Sequence, residues 1–172
     1  VPAELVRRLI ARGVDAELGG TQQEMTFFMS DVEGFTTLSE RLAPDELVHH
    51  LGEYLTAVSG RLLGAGATVD QYIGDAVLAF WNAPEPAADH PQRACDAALA
   101  VQEAVAQLNL AWEAQGRRVA FRTRIGINTG EAIVGNIGSN DRMSYTVIGD
   151  EVNLVSRLEA TNKFYGTSIL LS

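Results

Sequence analysis

The sequence is short of the features that mark a disulfide scaffold, a membrane span or a nucleic-acid binder. Its single cysteine, Cys95, excludes an intramolecular disulfide. No apolar run approaches the roughly eighteen residues that a transmembrane helix needs. Lys and Arg number 13 against 22 Asp and Glu, for a net charge of −9, and no basic cluster occurs. We therefore expect no nucleic-acid partner and no direct membrane insertion by this domain.

What remains is the composition of a globular protein, with 47% hydrophobic and 20% charged residues in a chain of 172. This length suits one domain. We predict an N-terminal connector helix over residues 1–20 and a domain over residues 21–172. Because Val1 is no initiator and the chain stops on a strand-like run, both ends look like cuts within a longer protein. We expect an upstream or downstream regulatory domain, and a cytoplasmic location for this domain even if the full-length protein is membrane-anchored.

Apolar periodicity predicts alternating strands and helices. Strands are predicted at residues 25–29, 68–73, 76–81, 119–128, 131–137 and 144–148. Helices are predicted at residues 38–62, as one helix or as two broken near Pro44, at residues 94–112, and from residue 150 onward. Turns are predicted at Gly19-Gly20, Gly74-Asp75 and Thr129-Gly130. This order predicts an α+β fold with a largely antiparallel sheet flanked by helices, and its topology resembles the ferredoxin-like, palm-type domains.

Asp31 ends the first predicted strand and lies just before a helix start. Gly34 permits close backbone approach, and amides near the helix start could hold phosphate oxygens. Taken alone, the segment is equally typical of an Asp turn before a capped helix.

Asp75 lies at the tip of the predicted hairpin, where Gly-Asp is ordinary turn chemistry. The pair of carboxylates is more informative than either one. If the first strand lies beside the hairpin, Asp31 and Asp75 meet at one sheet edge. Two carboxylates together with phosphates are what Mg²⁺ or Mn²⁺ prefers.

The last predicted helix places Asn153 and Arg157 one turn apart, in a polar stripe beside an apolar face. On a lone helix, this stripe is more typical of a solvated Asn and an Arg paired with Glu. A functional interpretation requires a negatively charged partner for Arg157.

Four segments together resemble one family. They are FMSDVEGFT at residues 28–36, YIGDA at 72–76, RIGINTG at 124–130 and YTVIGDEVNLVSR at 145–157. In this order they resemble segments of the class III adenylyl/guanylyl cyclase catalytic domain, in its bacterial adenylate cyclase subgroup. Four ordered matches spread over most of the chain make chance similarity a poor explanation.

The resemblance implies an adenylate cyclase that converts ATP to 3′,5′-cyclic AMP and pyrophosphate. It also implies a head-to-tail homodimer whose active sites draw residues from both subunits and hold two Mg²⁺ or Mn²⁺ ions each. The implied metal ligands are Asp31, Val32 and Asp75. The implied phosphate-binding residues are Gly34, Phe35, Thr36 and Arg124. The implied catalytic residues, from the other subunit, are Asn153 for the ribose and Arg157 for the phosphates.

By position, the residues that the resemblance implies for recognition of the base are Gln71 and Thr146. The family's adenylyl members usually have Lys where this chain has Gln71, whereas Thr146 is common in the bacterial subgroup. Because a rotated Gln amide suits guanine as well as adenine, a guanylate or dual-purine cyclase stays open. A third alternative is a catalytically silent module for dimerisation or signal relay.

Two further expectations concern the rest of the chain. The family's phosphate-binding Lys lies on a strand near the domain's end, so the domain looks truncated at its C-terminus. We expect packing roles for Trp81 and Trp112, and ordinary surface or capping roles for His49, His50 and His90.

Overall fold

The computed structural model describes residues 18–139 and 142–172. Residues 1–17 of the predicted connector helix lie outside the described residues. The strands are β1 (Gly19–Val32), β2 (Thr68–Ile73), β3 (Ala76–Trp81), β4 (Thr123–Ser139), β5 (Arg142–Ile148) and β6 (Ile169–Leu171). The helices are α1 (Phe35–Ser39), α2 (Pro44–Gly64), α3 (His90–Ala114) and α4 (Asp150–Tyr165).

The sheet has the strand order β2-β3-β1-β4-β5, and β6 pairs with β4 beside β5. All pairs are antiparallel except β4 with β6, which is parallel. The central arrangement, in which two crossover helices connect β1 to β2 and β3 to β4, is the ferredoxin-like one. The predicted α+β fold with a largely antiparallel sheet is confirmed.

Two predicted turns are wrong, and one interaction explains both. β1 runs for 14 residues and pairs with β4 along its whole length. Gly19 and Gly20 are the first residues of β1, opposite Asn136 and Gly135. The turn predicted at Thr129-Gly130 lies inside β4, which continues unbroken. The continuous ladder supplies backbone partners that outweigh the local turn preference of Gly.

The start of β4 also differs from the prediction. We expected a strand from residue 119, whereas β4 begins at Thr123. The side chain of Asn109, on α3, accepts from the backbone N–H of Phe121 at 2.9 Å and donates to its carbonyl at 2.8 Å. The Asn109 side chain thus makes the backbone hydrogen bonds at Phe121 that a neighbouring strand would otherwise make.

Of the two alternatives for residues 38–62, the structure has two successive helices. α1 ends at Ser39 and α2 begins at Pro44, where the missing N–H of proline costs no hydrogen bond. Ala43 is the residue before this helix start, and its N–H faces the Glu46 carboxylate at 3.4 Å.

The main core lies between the sheet and the helices α2 and α3. Trp81 and Trp112 are fully buried in it, which confirms their predicted packing role. The surface role predicted for the histidines is wrong for His50 and His90, which are 6% and 5% exposed. Each has a polar partner that offsets burial: His50 Nδ1 lies 2.6 Å from the Glu46 carbonyl, and His90 Nδ1 lies 2.7 Å from the Thr26 hydroxyl.

A second core lies on the opposite face of the sheet, under α4 and β5. Its buried members include Phe27, Phe80, Val147 and Val155. The rings of Phe80 on β3 and Tyr145 on β5 are 6.5 Å apart, although two strands separate β3 from β5 in the sheet. The sheet therefore curls, and β5 reaches over the face formed by β1 and β3.

Gly126 sets how closely α4 approaches β4, and this contact yields the first prediction. A Cβ at this position would lie 2.3 Å from the Val155 carbonyl oxygen and 2.6 Å from the Glu159 nitrogen, both in the backbone of α4. We expect Gly126→Ala to lower the free energy of unfolding by about 1–3 kcal/mol, because α4 must shift. Chemical denaturation measures the change.

The matched control is Gly60→Ala, on the exposed side of α2, where an added Cβ meets no atom within 4 Å. Since alanine is the better helix former, this variant should gain about 0.5–1 kcal/mol. Equal effects of the two variants would contradict the proposed contact.

Candidate active site

Asp31 and Asp75 lie together where β1 ends beside the β2–β3 hairpin. The backbone N–H of Val32 donates to the Asp75 carboxylate at 2.9 Å, which ties the hairpin tip to the end of β1. Burial, and then the neighbouring Asp31 carboxyl, raise the pKa of Asp75 to about 6. The Asp31 carboxyl is thus held close enough to Asp75 to disfavour the charged form of Asp75.

The donor set at this edge fits hard divalent cations. Carboxylate oxygens are the preferred protein ligands of Mg²⁺, which is commonly held by one or two carboxylates and by substrate phosphates. Among residues 18–139 and 142–172, no group of three or more His, Cys, Asp or Glu could hold a metal alone. Asp31 and Asp75 would therefore depend on phosphate oxygens to complete the coordination. The Val32 carbonyl remains a predicted third ligand.

Arg124 lies at the same site, and its guanidinium forms ion pairs with two carboxylates. Arg124 faces Asp31 across the β1–β4 pair, and its Nη2 donates to the Asp31 carboxylate at 2.9 Å. Its Nε lies 3.0 Å from Glu159 Oε1. Arg124 Nε and Glu159 Oε1 make no well-aligned hydrogen bond, so the contact between Arg124 and Glu159 is electrostatic. The structure places Arg124 beside Asp31, and its predicted contact with phosphate stays a prediction.

Glu159 is a member of this cluster that the sequence reasoning missed. It lies on the face of α4 that packs on the sheet and is 8% exposed. Burial, and then the negative charge of Asp31, raise the pKa of Glu159 to about 7, although Arg124 opposes the rise. An acidic residue one turn after Val155, on the buried side of an amphipathic helix, was the signal that could have revealed it.

The turn between β1 and α1 carries the predicted phosphate-binding residues. Gly34 has φ 70°, a left-handed conformation that glycine adopts without strain, and it precedes α1. Phe35 packs edge-on against Phe121 at 6.3 Å, which anchors the turn to the core. Thr36 is exposed in the first turn of α1. These residues follow Asp31 directly, so the turn borders the paired carboxylates.

Asn153 and Arg157 face away from this cluster. Both are exposed on α4, about 200° around the helix from the buried Val155. Within the described parts of the chain, the guanidinium of Arg157 has no ion-pair partner, so the alternative of an Arg paired with Glu finds no support there. No described contact links Asn153 or Arg157 to Asp31 or Asp75. The structure therefore divides the predicted site residues between two surfaces of one chain.

β2, which carries Gln71, and β5, which carries Thr146, come into contact at a third place through the curl of the sheet. Gln71 is exposed on β2, and Thr146 is half-buried on β5. The Thr146 hydroxyl donates to the carboxylate of Asp70, the residue before Gln71, at 2.6 Å. Thr146 therefore contacts the residue next to Gln71, although β2 and β5 lie at opposite ends of the sheet order.

Comparison with known proteins assigns the family. The model of the adenylate and guanylate cyclase catalytic domain matches residues 19–168. The chain belongs to this family. This cyclase domain is 45% identical, over its whole length, to adenylate cyclase 1 of Rhizobium meliloti, of which it covers 26%. The chain thus spans about a quarter of that relative.

Two solved cyclase structures resemble this domain closely. The adenylyl cyclase CyaB from P. aeruginosa is 39% identical, with a TM-score of 0.80 over 84% of this chain and 74% of that chain. The guanylyl cyclase Cya2 is 36% identical, with a TM-score of 0.82 over 90% of this chain and 77% of that chain. Adenylyl and guanylyl cyclases therefore both occur among its structural relatives. In the described part of the cyclase domain, no helix has the length and apolarity to cross a membrane.

The raised pKa of Glu159 makes the stability of the cyclase domain depend on pH, which is our second prediction. Between the ordinary pKa of 4.5 and the folded pKa of about 7, the folded state keeps a proton that the unfolded state has lost. Stability should therefore fall as the pH rises through this window, by about 1–2 kcal/mol from Glu159 after allowance for solvent screening.

Glu159→Gln removes this titration. The Tm of the variant minus the Tm of the unmodified domain should therefore become more positive from pH 4.5 to pH 8. Thermal unfolding in chelator without nucleotide measures it. Asp75 contributes with the same sign up to about pH 6, so part of the slope persists in the variant. Parallel Tm curves for the two proteins would contradict the assignment.

Proposed function

We propose that this domain is an adenylate cyclase, which converts ATP to 3′,5′-cyclic AMP and pyrophosphate at sites shared within a homodimer. The observation that carries the proposal is the meeting of Asp31 and Asp75 at the end of β1, where the Val32 amide ties the two segments together. The similarity of the whole chain to part of a protein named adenylate cyclase 1 supports the choice of reaction.

The roles of the residues follow from their chemistry. Asp31 and Asp75, with the Val32 carbonyl, would hold two Mg²⁺ or Mn²⁺ ions. Bound there, the ions would act as Lewis acids that favour the ionised ribose 3′ hydroxyl and neutralise charge on the phosphates. The backbone of residues 34–36 positions the triphosphate. Because the 3′ oxygen attacks the α-phosphate directly and pyrophosphate leaves, the reaction requires no nucleophile from the protein.

The other half of the site comes from a second copy of the chain. Arg157 stabilises charge that develops on the phosphates, and Asn153 orients the ribose. Both are exposed on α4, and Phe164 on the same helix is 84% exposed. Phe164 lies about two turns beyond Arg157 on the same side of α4. An exposed apolar ring on the same side as a guanidinium suits an interface, where a second subunit covers the ring and brings phosphate to the arginine. This division of residues supports the homodimer.

The domain acts within a longer protein in this proposal. The chain covers 26% of the Rhizobium meliloti relative and 34% of an adenylate cyclase from Anabaena cylindrica, which leaves room in both for other domains. We therefore place a regulatory domain upstream or downstream. A guanylate or dual-purine cyclase is the second candidate, because Gln71 offers both a donor and an acceptor and Cya2 is a guanylyl cyclase.

The paired carboxylates lead to the third prediction. Asp31→Asn and Asp75→Asn should each lower kcat/KM for ATP by at least about a hundredfold, because a neutral amide oxygen holds a hard cation much more weakly than a charged carboxylate does. Cyclic AMP formation by the full-length protein with Mn²⁺ measures the loss. In the unmodified protein, a chelator should abolish activity and excess Mn²⁺ should restore it.

The matched control for both variants is Asp45→Asn, at the exposed start of α2. It should keep activity within about twofold, since surface substitutions have small effects. Mn²⁺ should raise the Tm of the control but not that of Asp31→Asn. Full activity in Asp31→Asn or Asp75→Asn would contradict the assignment of Asp31 and Asp75 as metal ligands.

The fourth prediction tests whether the site is shared. Asp31→Asn and Arg157→Ala subunits should each be inactive alone. A mixed dimer has one site that takes Asp31 from one chain and Arg157 from the other, both unmodified. Random mixing of equal amounts should therefore restore about a quarter of the unmodified activity, because about half of the dimers are mixed and each has one intact site.

Two differently tagged subunits, purified through both tags in succession, provide the measurement. The mixed dimers should then show about half of the unmodified activity. Inactive mixed dimers, isolated as such, would mean that each site is built within one chain.

A further inference from the structure

A hydrogen bond between Thr146 on β5 and Asp70 on β2 connects opposite ends of the sheet. The pairing of β2 with β3 shifts register between Val69 and Gln71, so Asp70 lies in a bulge. Bulges commonly re-aim a side chain away from its regular position. Asp70 accepts the Thr146 hydroxyl at 2.6 Å, across the face of the curled sheet.

The direction of this bond is fixed by chemistry. A threonine hydroxyl has one proton to donate and two lone pairs to accept with, whereas a carboxylate only accepts. A separation of 2.6 Å is typical of a hydroxyl that donates to a charged carboxylate. Burial raises the pKa of Asp70, and the hydrogen bond from Thr146 opposes that rise. With its proton committed to Asp70, Thr146 has only lone pairs to offer a third group.

A hydroxyl that only accepts discriminates between the two purines. Adenine has an amino group at position 6, which donates, whereas guanine has a carbonyl oxygen there, which accepts. A hydroxyl that was free to rotate would bond to either base. A hydroxyl held by Asp70 accepts a hydrogen bond from the adenine amino group. With guanine, the hydroxyl oxygen and the carbonyl oxygen at position 6 are both acceptors, so no hydrogen bond forms.

We infer that Asp70 is a specificity-determining residue, which acts through Thr146 by holding its hydroxyl proton and thereby favours adenine over guanine. This inference rests on the proposed function and on the base-reading role that the family resemblance implies for Thr146. Asp70 itself is a positioning residue and need not touch the nucleotide. It supplies the discrimination that the ambivalent amide of Gln71 lacks.

The substitution Asp70→Asn tests this inference with little change in shape. The Asn amide can donate to the Thr146 oxygen, which releases the hydroxyl proton toward the base. GTP should gain a hydrogen bond as ATP loses one. We expect the ATP to GTP ratio of kcat/KM in the full-length protein to fall about tenfold, the scale of one good base contact.

A merely structural role for Asp70 would weaken both nucleotides together and leave their ratio unchanged. The control background is therefore Thr146→Val, which keeps the side-chain shape but lacks the hydroxyl. In that background, Asp70→Asn should change the ratio by less than about twofold, because no hydroxyl proton remains to be redirected. If Asp70→Asn does not fold, Asp70→Ala should shift the ratio in the same direction.

The inference and the proposed function fail in distinguishable ways. Competition binding with non-cyclisable ATP and GTP analogues reads the same ratio without catalysis. If the unmodified protein forms no cyclic AMP, the proposed function fails, and the binding ratio still decides the role of Asp70. Asp70→Ala offers Thr146 neither an acceptor nor a donor. If the unmodified protein forms cyclic AMP but Asp70→Asn and Asp70→Ala both keep the original ratio, the inference is overturned and the proposed function stands.

Discussion

The pairing of β1 with β4 is the interaction on which the rest of the structure depends. It runs along all 14 residues of β1 and places Asp31 opposite Arg124. The same ladder holds Gly126 where α4 packs directly on the backbone of β4. The end of β1 then meets the hairpin tip, where the Val32 amide fixes Asp75. One continuous ladder thus positions the paired carboxylates, the arginine beside them and the helix that carries Asn153 and Arg157.

The curl of the sheet provides the second level of organisation. The core under α4 packs β5 against β1 and β3, so strands at opposite ends of the sheet order come into contact. The Thr146 to Asp70 hydrogen bond lies at that contact. The surface that would read a purine is therefore made from two distant parts of the chain. Its donor and acceptor pattern would depend on the half-buried Asp70 as well as on the residues predicted to face the base.

In the proposed function, an acidic domain with a net charge of −9 must bind a triphosphate, which is itself negatively charged. The carboxylates Asp31 and Asp75 would attract divalent cations, which would reverse the local sign of the charge. Arg124 is occupied by Asp31 and Glu159, so it balances the charge of the protein itself. Arg157 has no ion-pair partner in the described part of the chain, which leaves its charge for an anion brought by another molecule. The two arginines thus differ in role because their neighbours differ.

The sequence by itself determined the elements and the chemistry, because periodicity and side-chain type are local. The β2–β3 hairpin and the polar stripe of Asn153 and Arg157 were predictable in this way. Only the tertiary structure decided that β4 continues through Thr129-Gly130, since the ladder with β1 outweighs local turn preference. It alone placed Glu159 beside Arg124 and Asp70 under Thr146, because those contacts join residues far apart in the chain. No local pattern encodes the curl that brings them together.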